Sequence, residues 1–171
     1  MEQQRIERLF QEHGASLVRY CAFSAGSWQD GEDVAADVFS RLIARGDAIP
    51  DQRVAAWLFA VAKNQCVSHH RATFRRNLMH RQLAESTQAK DPAWVDPTMW
   101  RYLRTLKEDA RLIIFLHAVE ERPFTQIAEL LGKSPSAVKM THYRALRHVR
   151  RAMEADGFTS AASLLGGPND A

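Results

Sequence analysis

The run from residue 124 to residue 153 leaves this chain few folds to choose from. Residues 124–131 form a short apolar-periodic segment, and Gly132 stops it. Ser134-Pro135 then opens a longer segment that carries Lys139, Arg144, Arg147, Arg150 and Arg151, with no acid before Glu154. A short helix, a glycine turn and a long basic helix are the pattern of a helix-turn-helix, a motif whose second helix suits a DNA major groove. Serine is a good helix N-cap, and proline suits the first helical position because its missing N–H would be unpaired there anyway.

The rest of the chain reads as helix as well. Ile6, Leu9, Phe10, Leu17, Tyr20 and Cys21 make an i, i+3, i+4 stripe over residues 3–24, with a break expected near Gly14. Gly26, Ser27 and Gly31 mark a turn, and a second helix starts at Asp30 or Gly31 with the stripe Val34, Ala35, Val38, Phe39, Leu42, Ile43. A third runs from about Arg53 to His70, with continuation towards Leu83, on the stripe Val54, Trp57, Leu58, Val61, Ala62, Val67. Ser86, Thr87, Asp91, Pro92, Asp96 and Pro97 make residues 85–99 the best linker, with Trp94 and Trp100 expected to dock. The helical pattern returns from about Trp100 to Val119, and Arg122-Pro123 interrupts it. No segment alternates with period two. The expectation is an all-α chain of two small helical domains, residues 1–84 and 100–155, joined by residues 85–99 and followed by a tail at 156–171, which reads as a frayed terminus, with a short apolar docking segment built on Phe158, Leu164 and Leu165 as the alternative.

Charge is segregated. The net charge is only +3, yet Asp30, Glu32, Asp33, Asp37, Asp47 and Asp51 crowd one stretch, and residues 63–81 are basic and acid-free. Such separation suits two unlike partners, one contacted by the acidic segment and one made of phosphates. Cys21 and Cys66 are the only cysteines and fall at apolar helical positions, so small buried hydrophobes in a reducing, intracellular setting are expected. The N-terminus has no apolar signal core, and no apolar run approaches the ~18–20 residues of a membrane span. His13, His117, His142 and His148 are scattered without a nucleophile or metal constellation, and residues 26–31 lack the lysine and strand of a phosphate loop, so nothing points to an enzyme, a metal or a cofactor.

Three helix faces carry chemistry. Asp33, Asp37 and Arg41 recur at i, i+4, i+8 with Ala36 and Ser40 beside them, and Asp37 can pair with Arg41 within the helix. In residues 57–76, Trp57, Phe59 and Phe74 alternate with Lys63, Arg71, Arg75 and Arg76. Cations with interleaved aromatics suit a single strand, although Trp57 and Phe59 also read as core. In the last helix Ser136, Lys139, Met140, Tyr143, Arg144 and Arg147 share one broad face opposite Val138, Ala145, Val149 and Ala152.

The order of these elements resembles the sigma-70 family of bacterial transcription initiation factors, and within it the small extracytoplasmic-function group that keeps only regions 2 and 4. The resemblance covers most of the chain and rests on DGEDVAADVFSRLI from Asp30 to Ile43, AWLFAVAKN from Ala56 to Asn64 continuing through Ser68 to Arg71, and FTQIAELLG from Phe124 to Gly132 with the basic helix after it. It implies that Asp33, Ala36, Asp37, Ser40 and Arg41 dock on RNA polymerase core. It implies that Lys63, Asn64, Ser68, Arg71, Arg75 and Arg76 contact the −10 promoter element, with Asn64 and Ser68 beside a flipped base and the loop 45–52 holding it. It implies that Ser136, Lys139, Met140, Tyr143, Arg144 and Arg147 contact the −35 element. Promoter DNA, polymerase core and an anti-sigma factor are the implied partners, with no membrane insertion and no cofactor. The last helix departs from the family pattern at Lys133, Pro135, Ser136, Met140, Thr141 and at His142, where an apolar residue is usual, so no promoter preference carries over. The rival readings are a helix-turn-helix regulator acting without polymerase, which leaves the acidic helix unexplained, and an α-helical interaction module with degenerate DNA contacts.

Overall fold

Regular structure is helical throughout the described residues. The computed structural model describes residues 3–45, 48–80 and 97–158, the side chains of residues 73–80 and of Pro97 excepted. The chain divides into two units, Met1–Asp96 and Pro97–Ala171. The expected linker falls across this division. Its residues 85–96 lie outside the described residues, as do Trp94, Leu164 and Leu165, whereas a helix of the second unit begins at Pro97.

The first unit packs α1 (Gln3–Ala25), α2 (Trp28–Arg45) and α3 (Asp51–His80). Its core is the union of their apolar stripes: Leu9, Leu17, Tyr20 and Cys21 from α1, Val34, Val38, Phe39 and Leu42 from α2, and Val54, Leu58, Phe59, Ala62 and Cys66 from α3. A fully buried aliphatic or aromatic side chain of this kind contributes about 1.5–3 kcal/mol, which is what holds the three helices together. Cys21 and Cys66 are both free and buried, and a hydrogen bond between their side chains, with burial, pushes the Cys21 thiol far above its ordinary range.

Two expectations about glycine change. α1 runs unbroken through Gly14, where the Phe10 ring lies 3.5 Å from the place a Cβ would occupy. Gly31 is not a turn residue. It lies inside α2, where a Cβ would stand 2.4 Å from the Ala22 backbone nitrogen, so its role is to let α2 approach α1. The turn ends earlier, at Ser27, whose Oγ accepts the Asp30 N–H at 3.3 Å in the manner of an N-cap.

The second unit comprises α4 (Pro97–Leu103), α5 (Glu108–Ile114), a single π-helical turn (Phe115–Val119), α6 (Phe124–Leu131) and α7 (Pro135–Ala155). Leu112, Ile113, Phe115, Leu116, Ile127, Val138, Val149 and Met153 form its core. Trp100 is half-buried with the Arg111 guanidinium 5.6 Å from its ring, and Arg111, itself buried, bonds Glu108. The π-turn closes with Glu120 N–H donating to the Phe115 carbonyl and Arg122 N–H to the Leu116 carbonyl. Glu121 between them adopts φ 53°, the left-handed region. Gly132 takes the same region at φ 62° to end α6. The Ser134 side chain caps α7 by accepting the Ala137 N–H at 3.2 Å, with Pro135 in the first turn.

Candidate nucleic-acid interface

On α7 the 3.6-residue period separates two faces cleanly. Val138, His142, Ala145, Val149 and Met153 are buried, while Ser136, Lys139, Met140, Tyr143, Arg144, Arg147, Arg150 and Arg151 are exposed. All six sequence-predicted residues therefore share the outward face. The Lys139 ammonium lies 5.7 Å from the centre of the Tyr143 ring, and the Ser136 and Ser134 hydroxyls are 3.2 Å apart. Met140 is half exposed at 51%. No carboxylate stands on this face until Glu154, so it offers cations and two apolar contacts to a partner of negative charge.

Beneath the face, His142 lies among the buried apolar residues of α7. Its ring meets Phe124 at 5.2 Å and His117 at 4.9 Å, and His117 in turn stacks on Phe124 at 4.2 Å. Burial first, and the neighbouring His117 second, lower the His142 pKa to about 4, which keeps the ring neutral at pH 7. A neutral, ring-lined imidazole thus packs as part of the apolar face of the helix. The other end of α7 is tied to α4: the Arg101 guanidinium and the Tyr102 hydroxyl both donate to Asp156, the latter at 2.7 Å. His148 meets Thr105 Oγ1 at 3.2 Å, and Lys133 pairs with Asp109 at 3.6 Å.

On α3, Asn64, Ser68 and Arg71 are exposed at i, i+4, i+7 and so share a face opposite buried Ala62 and Cys66. The Ser68 hydroxyl donates to the Asn64 carbonyl at 3.1 Å. Lys63 is half-buried and lies on the flank of that face rather than within it. The helix runs on through Arg75 and Arg76, whose side chains, like that of Phe74, lie outside the described residues. The expected aromatic surface is corrected. Phe59 is buried edge-on to Tyr20 at 5.7 Å and belongs to packing, whereas Trp57 is half-buried with the Arg45 guanidinium 5.9 Å from its ring. The neighbouring histidines also have structural work: His70 bonds the Ser24 carbonyl at 2.6 Å and His69 Nε2 lies 3.6 Å from Asp30.

On α2, Asp33, Ala36, Asp37, Ser40 and Arg41 are all exposed. Arg41 Nε donates to Asp37 at 2.9 Å, the i,i+4 pair the spacing predicts, and Ser40 donates to the Ala36 carbonyl at 2.9 Å. The sequence reading missed a cluster at the foot of α3. Asp51 receives the guanidiniums of both Arg5 and Arg8, and Arg5 also donates to the Ile49 carbonyl at 2.6 Å. Only the opposite charges themselves could have signalled it, since the partners lie more than forty residues apart. The hydrogen bonds from Arg5 and then Arg8 hold the Asp51 carboxyl below its ordinary range. Among the described residues no group of three or more His, Cys, Asp or Glu could hold a metal ion, and no helix is long and apolar enough to cross a membrane.

Comparison with known proteins agrees with this division. The sigma-70 region 2 model matches residues 9–76, and the sigma-70 region 4 model matches residues 98–149. The chain is 27% identical over 162 residues to the ECF RNA polymerase sigma factor SigL of Mycobacterium tuberculosis, covering 90% of this chain and 92% of that one. It is 21% identical over 159 residues to the ECF RNA polymerase sigma factor BldN of Streptomyces coelicolor, covering 87% of this chain but only 60% of BldN. Two solved structures share the fold: CnrH in complex with the cytosolic domain of CnrY, at 24% identity, TM-score 0.62 and 91% of both chains, and the sigma factor RpoE in complex with the anti-sigma factor NepR from Bartonella quintana, at 22% identity, TM-score 0.58, 88% of this chain and 99% of that one. The chain belongs to the sigma-70 family, in its extracytoplasmic-function group of RNA polymerase sigma factors.

Proposed function

We propose that the protein directs promoter-specific initiation by docking on RNA polymerase core through α2, holding the −10 element with α3 and the loop before it, and reading the −35 element as duplex with α7. The observation that carries this reading is the presence, on one chain, of two units that each expose a distinct polar face: a continuous acid-free cationic face on α7, and on α3 a face of Asn64, Ser68 and Arg71 beside the charged α2. In this reading Asp33, Ala36, Asp37, Ser40 and Arg41 form the polymerase face, where the mutually paired Asp37 and Arg41 set register more than affinity. Asn64 and Ser68 meet an unstacked base, and Lys63, Arg71, Arg75 and Arg76 neutralise phosphates. Capturing a base out of its stack costs a few kcal/mol, which a shaped, hydrogen-bonding pocket must offset. On α7, Lys139, Arg144 and Arg147 supply charge, and Ser136, Met140 and Tyr143 meet base edges.

The protein acts in the cytoplasm, carries out no catalytic step of its own and uses no cofactor. An anti-sigma factor is its natural antagonist, as NepR is the anti-sigma factor in the RpoE complex that shares its fold. Reconstitution tests the reading: purified protein added to sigma-free core polymerase yields RNA from a defined start site on a cognate promoter. Duplex binding with no start-site-specific RNA when core is added would instead favour a plain helix-turn-helix regulator.

A further inference from the structure

The acid that opens α3 is placed where a promoter-binding surface would least tolerate it. Asp51 lies in the first turn of α3, within the span 45–52 assigned above to the flipped −10 base, whose last two residues are helical. An unpaired carboxylate there would repel a nucleic-acid strand. It is not unpaired. Arg5 Nε donates to its Oδ1 at 2.8 Å and Arg5 Nη2 lies 2.7 Å from the same oxygen, while Arg8 takes Oδ2. The trio carries a net charge of +1, so the acid is turned into part of a cationic surface.

The same Arg5 guanidinium does a second thing. Its Nη2 donates to the Ile49 carbonyl at 2.6 Å, so one planar group bridges a loop carbonyl and a helix carboxylate. Ile49 is buried and flanked by exposed Ala48 and Pro50, and the Arg53 N–H donates to the Pro50 carbonyl at 2.9 Å. The backbone leading into α3 is thereby fixed from three sides: the core below, α3 behind, and α1 across. Arg5 is itself largely covered, with a side-chain exposure of 16%, which sets it apart from an ordinary solvated surface pair. A lysine carries the same charge but lacks the rigid fork that joins two acceptors at once.

We propose that Arg5, supported by Arg8 through Asp51, is a positioning residue of α1 that holds residues 48–50, just ahead of α3, in the shape that receives the unstacked −10 base. This rests on the −10 role given to α3 above. The clamp contributes to discrimination between a present and an absent base, because an empty pocket gains nothing from a preorganised wall, whereas a filled one does.

The test uses the full chain assembled with core polymerase and forked −10 DNA. Affinity is compared for intact DNA and for DNA made abasic at each non-template position of the −10 element in turn. The wild type should favour the intact base at one position, by about tenfold for a good hydrogen-bonded pocket. Arg5→Lys and, independently, the isosteric Asp51→Asn should bring that ratio to within about twofold of unity while core affinity and melting temperature change little. A ratio retained in both variants overturns the clamp, and so does an equal fall on intact and abasic DNA, which is the mark of a merely structural role. A wild-type ratio of one at every position refutes base capture by this unit and the clamp with it. A wild-type preference that both variants preserve leaves base capture standing and refutes the clamp alone.

Discussion

Glu121 holds a left-handed backbone that glycine tolerates better than any residue with a Cβ. Its cost, roughly 1–2 kcal/mol, is set against the two backbone bonds that close the π-turn around it. Replacing it with glycine is expected to stabilise the second unit by about 1 kcal/mol, seen as a higher melting temperature with unchanged DNA affinity. His142 makes a different prediction. Its pKa is lowered from 6.5 to about 4, so the folded state excludes the charged imidazole more strongly than the unfolded chain does. The stability linked to it is complete above about pH 6.5 and is lost as pH falls towards about 4. Thermal melts from pH 7.5 down to 4.5 should therefore show a steep fall for the wild type and a shallower one for His142→Leu. Parallel curves would mean that the ring is not what titrates.

At the scale of elements, α7 was the most legible part of the sequence because its signals are local. Gly132, Ser134 and Pro135 each act on their own backbone, and the 3.6-residue period alone sorts Val138, Ala145 and Val149 from Lys139, Arg144 and Arg147. Phosphate contact by this face has a measurable signature. Arg147→Ala should lower the slope of log affinity for −35 duplex against log salt by about 0.9 if Arg147 neutralises one phosphate, and should leave the slope unchanged if it reads a base edge. What escaped the sequence was long-range. Gly31 looked like a turn residue because nothing local shows that the Ala22 backbone lies against it. Nothing local marks the partners of His69 and His70, yet His70 bonds the Ser24 carbonyl, 46 residues away, and His69 Nε2 lies 3.6 Å from Asp30. Lys63 shares the charge of its neighbours but sits roughly 100° off the middle of their face, a distinction that helical phase shows only once the buried side is known.

For the whole molecule, two separate hydrophobic cores allow separate functions to be damaged separately. Asp37→Arg together with Arg41→Glu keeps an i,i+4 pair of opposite charges in α2, so the helix should persist. Core affinity is expected to fall about tenfold or more through like-charge contacts across the docking face, while −35 duplex binding by the second unit is retained. Titration of labelled core against the variant checks the first, and duplex binding by the isolated protein checks the second. Loss of both would point to misfolding and unchanged core affinity would remove α2 from the interface.

The joint formed by Asp156 with Arg101 and Tyr102 bears on how such a protein tolerates imperfect promoters. With Val138, Ala145, Val149 and Met153 seated in the core and its exit fastened to α4, α7 resists rolling about its own axis to bring a new row of side chains to bear. A mismatched base pair then meets an unyielding probe, so the adjustment falls on the double helix, through twist and groove width. Promoters of equal consensus score should rank by their pliability.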